Sequence, residues 1–179
     1  SIRTPAAQLQ VGPEAAFAAM AARARAMVEA GITTARDLGG GEYRELALRD
    51  RIARFEIPGP RLLCAGQPVT SPQGHCWFWG GEARGADEVR AVVRRQVERG
   101  ADLIKVMATG GVLTAGTKPS DSQFEQHELD ALVAEARAHG ILDVDVGRHE
   151  HVGIVGDLVA LGRQDVDQQV LISARVDEP

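Results

Sequence analysis

The chain has 179 residues, 44% of them apolar, which is enough for one domain with a sizeable hydrophobic core. Twenty basic and twenty-five acidic residues give a net charge of −5, and the basic residues are scattered, which argues against a nucleic-acid or anionic-membrane partner. Cys64 and Cys76 lack the spacing of a metal-binding pair and indicate free thiols in a reducing compartment. Because neither a long apolar run nor a signal-peptide pattern is present, we expect a cytoplasmic protein.

Helical patterns that end at a glycine alternate along the chain with short apolar strands. A helix is predicted over 13–30 before a strand at 32–37, and a less regular helix over 42–55 precedes a strand at 61–65. Helices over 86–99 and 125–139 end at Gly100 and Gly140, and strands follow at Lys105 and at 141–142. The last pair is a helix over 154–161 and a weak strand at 170–172.

This alternation predicts an α/β fold with a parallel sheet and right-handed crossovers. A complete eight-unit barrel takes roughly 250 residues, and the chain offers only about five strands. The sheet is therefore either open or part of a barrel.

Lys105 lies inside the apolar strand Leu103-Ile104-Lys105-Val106-Met107, which runs into Gly110 and Gly111. A buried ammonium is costly, so a functional reason is expected for it. It could form a Schiff base, anchor a phosphate or carboxylate beside the glycine pair, or be carboxylated to bridge two metal ions. The alternative is a lysine at a strand end whose amine reaches solvent.

Other candidates lie in loops and strand ends. The loop after the strand at 61–65 contains His75 and the aromatic run that begins at Trp77, which is typical of a pocket wall or of a hydrophobic plug. Asp37 ends a strand, where a carboxylate can orient a ligand. His149 and His151 would point to one face of an extended segment, towards one metal or substrate, or would form a polar pair in a surface turn.

Three segments resemble the metal-dependent amidohydrolase superfamily, in the branch of imidazolonepropionase-like enzymes and Xaa-Pro or Xaa-Arg dipeptidases. They are Ala30-Gly31-Ile32-Thr33-Thr34-Ala35-Arg36-Asp37-Leu38-Gly39-Gly40, Gly74-His75 with Gly81-Glu82-Ala83, and Leu103-Ile104-Lys105-Val106-Met107-Ala108-Thr109-Gly110-Gly111-Val112. The likeness covers about 5–140. It implies a partial (β/α)8 TIM-type barrel that lacks the first and last strands.

The resemblance also implies chemistry. In the family two divalent ions, here expected to be zinc, share a hydroxide and a carboxylated lysine on the fourth strand, which corresponds to Lys105. The metal ligands are then Lys105, His149 and His151, and the substrate-binding residues are Asp37, His75, Trp77, Gly110 and Gly111. The family's His-x-His pair on the first strand and its aspartate on the eighth strand have no counterpart in the sequence.

We therefore expect an amidohydrolase-like barrel segment over 1–140 and a diverged tail over 141–179 that could continue the barrel. The expected activity is hydrolysis of the amide bond of a dipeptide or related small amide. The alternatives are a catalytically inactive partial barrel that acts as an assembly module, a truncated product, or an aldolase-like site at Lys105. Missing strands would expose the apolar faces of the helices at 86–99 and 125–139, which favours a homo-oligomer.

Overall fold

The computed structural model describes residues 12–112, 114–142, 144–147 and 170–171. The helices are α1 (Pro13–Glu29), α2 (Arg44–Ala53), α3 (Gly85–Glu98) and α4 (Gln126–Ala138), with a short 3-10 helix at Trp77–Trp79. The strands are β1 (Thr34–Asp37), β2 (Arg61–Cys64), β3 (Ile104–Met107), β4 (Val144–Gly147) and β5 (Val170–Leu171). This order confirms the predicted α/β alternation within the described ranges.

The chain divides into two compact units. The first contains α1, α2, β1, β2 and β5, and the second contains the 3-10 helix, α3, α4, β3 and β4. None of the helices in the described ranges combines the length and apolar character that crossing a bilayer requires.

In the first unit β1 and β2 pair in parallel, and Asp37 lies opposite Cys64. Helix α1 packs against α2, and α2 packs against β2. On its other side β1 pairs with β5 in the antiparallel sense, with Asp37 opposite Val170. The weak strand predicted at 170–172 is therefore present, but its antiparallel direction differs from the parallel sheet that the alternating pattern predicts.

In the second unit β3 pairs in parallel with β4, and Lys105 lies opposite Asp145. On the other side of β3, Val69 forms a parallel bridge with Val106. A core cluster of buried apolar side chains from α3, α4, β3 and adjacent loops includes Val69, Val89, Val92, Val93, Ile104, Val106, Phe124, Leu132 and Ala136.

The strand predicted at 141–142 begins three residues later, at Val144. The amide of Ile141 donates to the carbonyl of Ala136 at 2.9 Å, while Gly140 adopts φ +77°. Ile141 is buried in the same cluster as Ala136. It therefore closes the end of α4 instead of opening β4.

The apolar faces of α3 and α4 are covered by each other and by β3. Val89, Val92, Val93 and Leu132 are buried, and Leu129 and Val133 are partly buried against the same cluster. The expectation that these faces are exposed was therefore wrong. A homo-oligomer that forms through them loses its structural basis.

Candidate functional site

Lys105 is a buried cation in the described part of the second unit. All four residues of β3 are buried, and Lys105 is only 3% exposed. Ile104 and Val106, its neighbours on the strand, belong to the core cluster, so the backbone around the lysine is firmly held. The predicted alternative, a lysine at a strand end with its amine in solvent, does not describe this side chain.

Asp145 compensates the charge of Lys105. The Nζ atom of Lys105 donates to Oδ1 of Asp145 at 2.6 Å, and the Asp145 side chain is 16% exposed. Directly opposed residues of a parallel pair project to the same side of the sheet, so the register of β3 and β4 brings the two charges together. An ion pair of this kind offsets the desolvation of both groups, whereas removal of one partner leaves an uncompensated buried charge.

Zinc and a carboxylated lysine require donors beyond Lys105 and Asp145. Within the described ranges, no group of three or more His, Cys, Asp or Glu side chains is placed to hold a metal ion. A carbamate on Lys105 would set a second anion against Asp145 unless a cation lay between them. The described residues alone do not fit a zinc centre.

His75 is buried in the same unit, with 3% of its surface exposed. Its Nδ1 lies 3.2 Å from Oγ1 of Thr114, and the same hydroxyl accepts a hydrogen bond from the amide of Cys76 at 2.9 Å. His75 therefore connects its own loop to the loop that follows β3.

The neighbouring thiol, that of Cys76, is buried and does not ionise at neutral pH. Burial raises the pKa of Cys76 to about 12, although Thr114 and the charge of Lys105 act in the opposite direction. A thiol that stays protonated at neutral pH is a poor nucleophile.

The aromatic run forms the 3-10 helix that begins at Trp77. Trp77 and Phe78 meet edge to face with ring centroids 6.2 Å apart, and Phe78 and Trp79 do so at 5.6 Å. Trp77 is 43% exposed, so part of its indole is available for a contact.

The glycine pair after β3 is required by packing. A Cβ atom at Gly110 would lie 2.3 Å from the carbonyl oxygen of Lys118, and one at Gly111 would lie 2.4 Å from Cε1 of His75. The amide and carbonyl of Gly111 both bond to the hydroxyl of Thr117. Close packing therefore accounts for both glycines, and ligand binding by them stays a prediction.

A cavity of about 710 Å³ opens in the second unit beyond the end of β3. Its walls come from the loop before the 3-10 helix, the loop after β3 and the first residues of α3 and α4, and they include Ser71, Gly74, Arg84, Gly110, Gln123 and Glu128. Its volume suits a small molecule. Of the predicted site residues in this unit, Gly110 lines the cavity, whereas Lys105, His75 and Trp77 do not.

Asp37 lies in the first unit, at the end of β1, and is buried. Glu45 of α2 is only 2% exposed, and its Oε1 has no hydrogen-bond partner within the described part of the chain. Burial raises the pKa of Glu45 to about 7, and the charge of Asp37 contributes in the same direction. Sequence patterns missed Glu45, since a glutamate in the first turn of a helix is ordinarily a solvated residue.

His149 and His151 lie outside the described residues, as does the helix predicted over 154–161. Their assignment as metal ligands stays a prediction.

Comparisons of the sequence and of the structure with known proteins give consistent matches. The sequence profile described as the Amidohydrolase family matches residues 3–168. Ochratoxinase from Aspergillus niger is 32% identical over an alignment of 157 residues. The alignment covers 73% of this chain and 32% of that protein. The chain therefore spans about a third of the length of this relative.

The solved structures that resemble the chain include two that are 30% or more identical to it. One is a Xaa-Pro dipeptidase with methionine bound in its active site, which superposes with a TM-score of 0.71 at 32% identity over 77% of this chain and 37% of that one. The other is the ochratoxinase of A. niger, with a TM-score of 0.63 at 30% identity over 74% of this chain and 36% of that one.

Proposed function

The chain belongs to the amidohydrolase family, and we propose that the protein that carries it hydrolyses the amide bond of a dipeptide or a related small amide. The observation that carries the proposal is Lys105, a charged residue that is 3% exposed in an otherwise apolar strand. A fold without a use for this charge would gain stability from an apolar side chain there. The similarity to a Xaa-Pro dipeptidase and to ochratoxinase supports amides as the substrate class.

In the proposed role, the chain supplies the lysine-bearing strands of the hydrolase. Lys105 holds a fixed charge on β3, and Asp145 orients its amine across the strand pair. Charges that are held in place before the substrate binds need little reorganisation during the reaction. The cavity beyond β3, lined in part by Gly110, is of a size that a dipeptide requires.

Membership of the amidohydrolase family supports a metal cofactor, a barrel fold and a set of substrate-binding residues. The amidohydrolase family is generally metal-dependent and acts on small molecules. We therefore propose zinc as cofactor, with Lys105, His149 and His151 as ligands, in a state in which Lys105 is carboxylated instead of paired with Asp145. The parallel strand pairs support a partial (β/α)8 TIM-type barrel that lacks the first and last strands, with the barrel segment over 1–140 and a tail over 141–179 that could continue the barrel. Asp37, His75 and Trp77 are proposed to contact substrate, and the cytoplasm is the proposed location.

A second candidate is a catalytically inactive barrel segment that acts as an assembly module. It is favoured by the ion pair with Asp145, which satisfies the charge of Lys105 without a metal ion or a substrate. This candidate predicts a folded protein without hydrolytic activity.

A substrate panel separates the two candidates. The native protein that carries this sequence is incubated, with and without added zinc, with Xaa-Pro dipeptides, small amides and phosphate monoesters. We expect free amino acids from the dipeptides and no phosphate from the esters, as the reaction class requires. Folded protein that releases no amine from any amide would support the inactive module.

A further inference from the structure

Gln123 joins three segments of the second unit through one side-chain amide. Its Oε1 accepts the backbone N–H of His75, and its Nε2 donates to the carbonyl of Met107. The same Nε2 lies 3.3 Å from Oγ1 of Thr70. Met107 is the last residue of β3, two positions beyond Lys105, so Gln123 ties the loop of His75 to the end of the lysine strand.

The surroundings leave this amide little freedom. A Cβ atom at Gly74 would lie 2.2 Å from Oε1 of Gln123. The hydroxyl of Thr70 donates to the carbonyl of His75 at 2.8 Å, which closes the same network from the other side. The backbone amide of Gln123 donates to the carbonyl of Ala108 at 2.9 Å, which holds the residue beside the continuation of β3.

We infer that Gln123 is a positioning residue for amide hydrolysis, which fixes the loop of His75 against the carboxyl end of the strand that carries Lys105. The inference rests on the proposed function. The position needs an acceptor for the N–H of His75 and a donor for the carbonyl of Met107, and a primary amide provides both at once. Gln123 and Gly74 also line the cavity, so a shift of the loop changes the wall against which a substrate would lie.

The substitution Gln123→Glu tests the donor separately from the shape. An ionised carboxylate still accepts from His75 but cannot donate to Met107, whereas a protonated carboxyl does both. Gln126→Glu is the matched control, since Gln126 is exposed, its amide bonds to Asp130, and it does not line the cavity. Both variants are compared with the wild-type protein in the dipeptide assay between pH 5 and pH 8.

We expect Gln123→Glu to lower kcat/KM by about 10- to 100-fold at pH 8, because small misplacements at a site cost activity on this scale. The ratio to wild type should recover towards pH 5, because a partly buried position opposite the carbonyl of Met107 raises the pKa of the introduced carboxyl above its ordinary value of about 4.3. The ratio for Gln126→Glu should stay constant. Wild-type kcat/KM at pH 8, or a loss that does not depend on pH, would overturn the inference.

Hydrogen exchange of the 71–78 segment gives a readout that does not need activity. At pH 8 the segment should exchange faster in Gln123→Glu than in wild type, and the difference should shrink at pH 5. Unchanged exchange would show that Gln123 does not hold the loop. A wild-type protein without amide hydrolysis would contradict the proposed function, while the exchange data would still decide whether the contact positions the loop.

Discussion

Glu45 is a buried carboxyl whose titration affects the stability of the first unit. Burial raises its pKa from an ordinary 4.5 to about 7, and Asp37 adds to the effect. The opposing charges are Arg44 and Arg49 of the same helix, and the thiol of Cys64 on β2 donates to the backbone carbonyl of Glu45. Between the two pKa values the folded state keeps a proton that the unfolded state has released. The free energy of unfolding therefore falls as pH rises through this window.

We predict that Glu45→Gln removes this fall. The variant should gain stability relative to wild type as pH rises from about 4 to 8, by on the order of 3 kcal/mol, since the side chain no longer ionises. Urea unfolding followed by circular dichroism measures the difference at each pH. Glu29→Gln is the control, because Glu29 is exposed on α1 of the same unit. Parallel pH profiles for Glu45→Gln and wild type would rule out the raised pKa.

The sequence identifies some functional candidates but not their partners. Lys105 stands out because its neighbours on the strand are apolar, a feature that is visible in a single segment. Asp145 becomes its partner only through the register of β3 and β4, which joins positions forty residues apart. Gln123 was missed for the same reason, since its contacts with Thr70 and His75 depend on how two loops meet.

Helix α4 is stabilised both at its start and along its apolar face. The Glu125 side chain accepts the backbone N–H of Glu128, and the Glu128 side chain accepts that of Glu125, which forms a capping box. The other Glu128 oxygen accepts the amide of Gly85, the first residue of α3, at 2.6 Å. Leu132, one turn further along α4, is 1% exposed within the core cluster.

Truncation of this face should destabilise the second unit. We predict that Leu132→Ala lowers the free energy of unfolding by about 2 to 5 kcal/mol, because it leaves a cavity in the cluster. Leu142→Ala removes the same atoms from a side chain that is 86% exposed and should change the free energy by less than about 0.5 kcal/mol. Tryptophan fluorescence during urea unfolding reports on both, since Trp77 and Trp79 lie in this unit. Equal losses would contradict the assigned core.

Helices were predicted closely because capping signals and the 3.6-residue period are local. The structure places α3 at Gly85–Glu98 and α4 at Gln126–Ala138, within one residue of the predicted bounds at each end. Strand partners were predicted less well. The direction of β5 is set by its pairing with β1, and the start of β4 is set by the end of α4. A short apolar run predicts neither the pairing nor the helix end.

At the scale of the whole molecule, the family match extends over 3–168, beyond the segment of about 5–140 that the motifs indicate. The fold of the described residues is α/β with parallel strand pairs, as the alternating pattern predicts. Contacts within each unit set the positions of Lys105 and Asp37, and these two residues fall in different units. The sequence motifs assign both residues to one family site. Neither motif determines the distance between the two residues.

The dependence of amide hydrolysis on Lys105 tests the proposed function most directly. In the native protein, Lys105→Ala should lower kcat/KM for a Xaa-Pro dipeptide by about 100-fold or more, a loss at least as large as that from removing a group that supports a site. Lys118→Ala changes the other lysine of the chain, which is exposed, and should keep full activity.

A second variant separates catalysis from folding. Lys105→Met combined with Asp145→Asn removes both charges at nearly constant volume, so no buried charge is left without its partner. We expect this double variant to unfold like wild type and to hydrolyse no dipeptide. Dipeptide hydrolysis at the wild-type rate in the folded double variant would contradict this expectation.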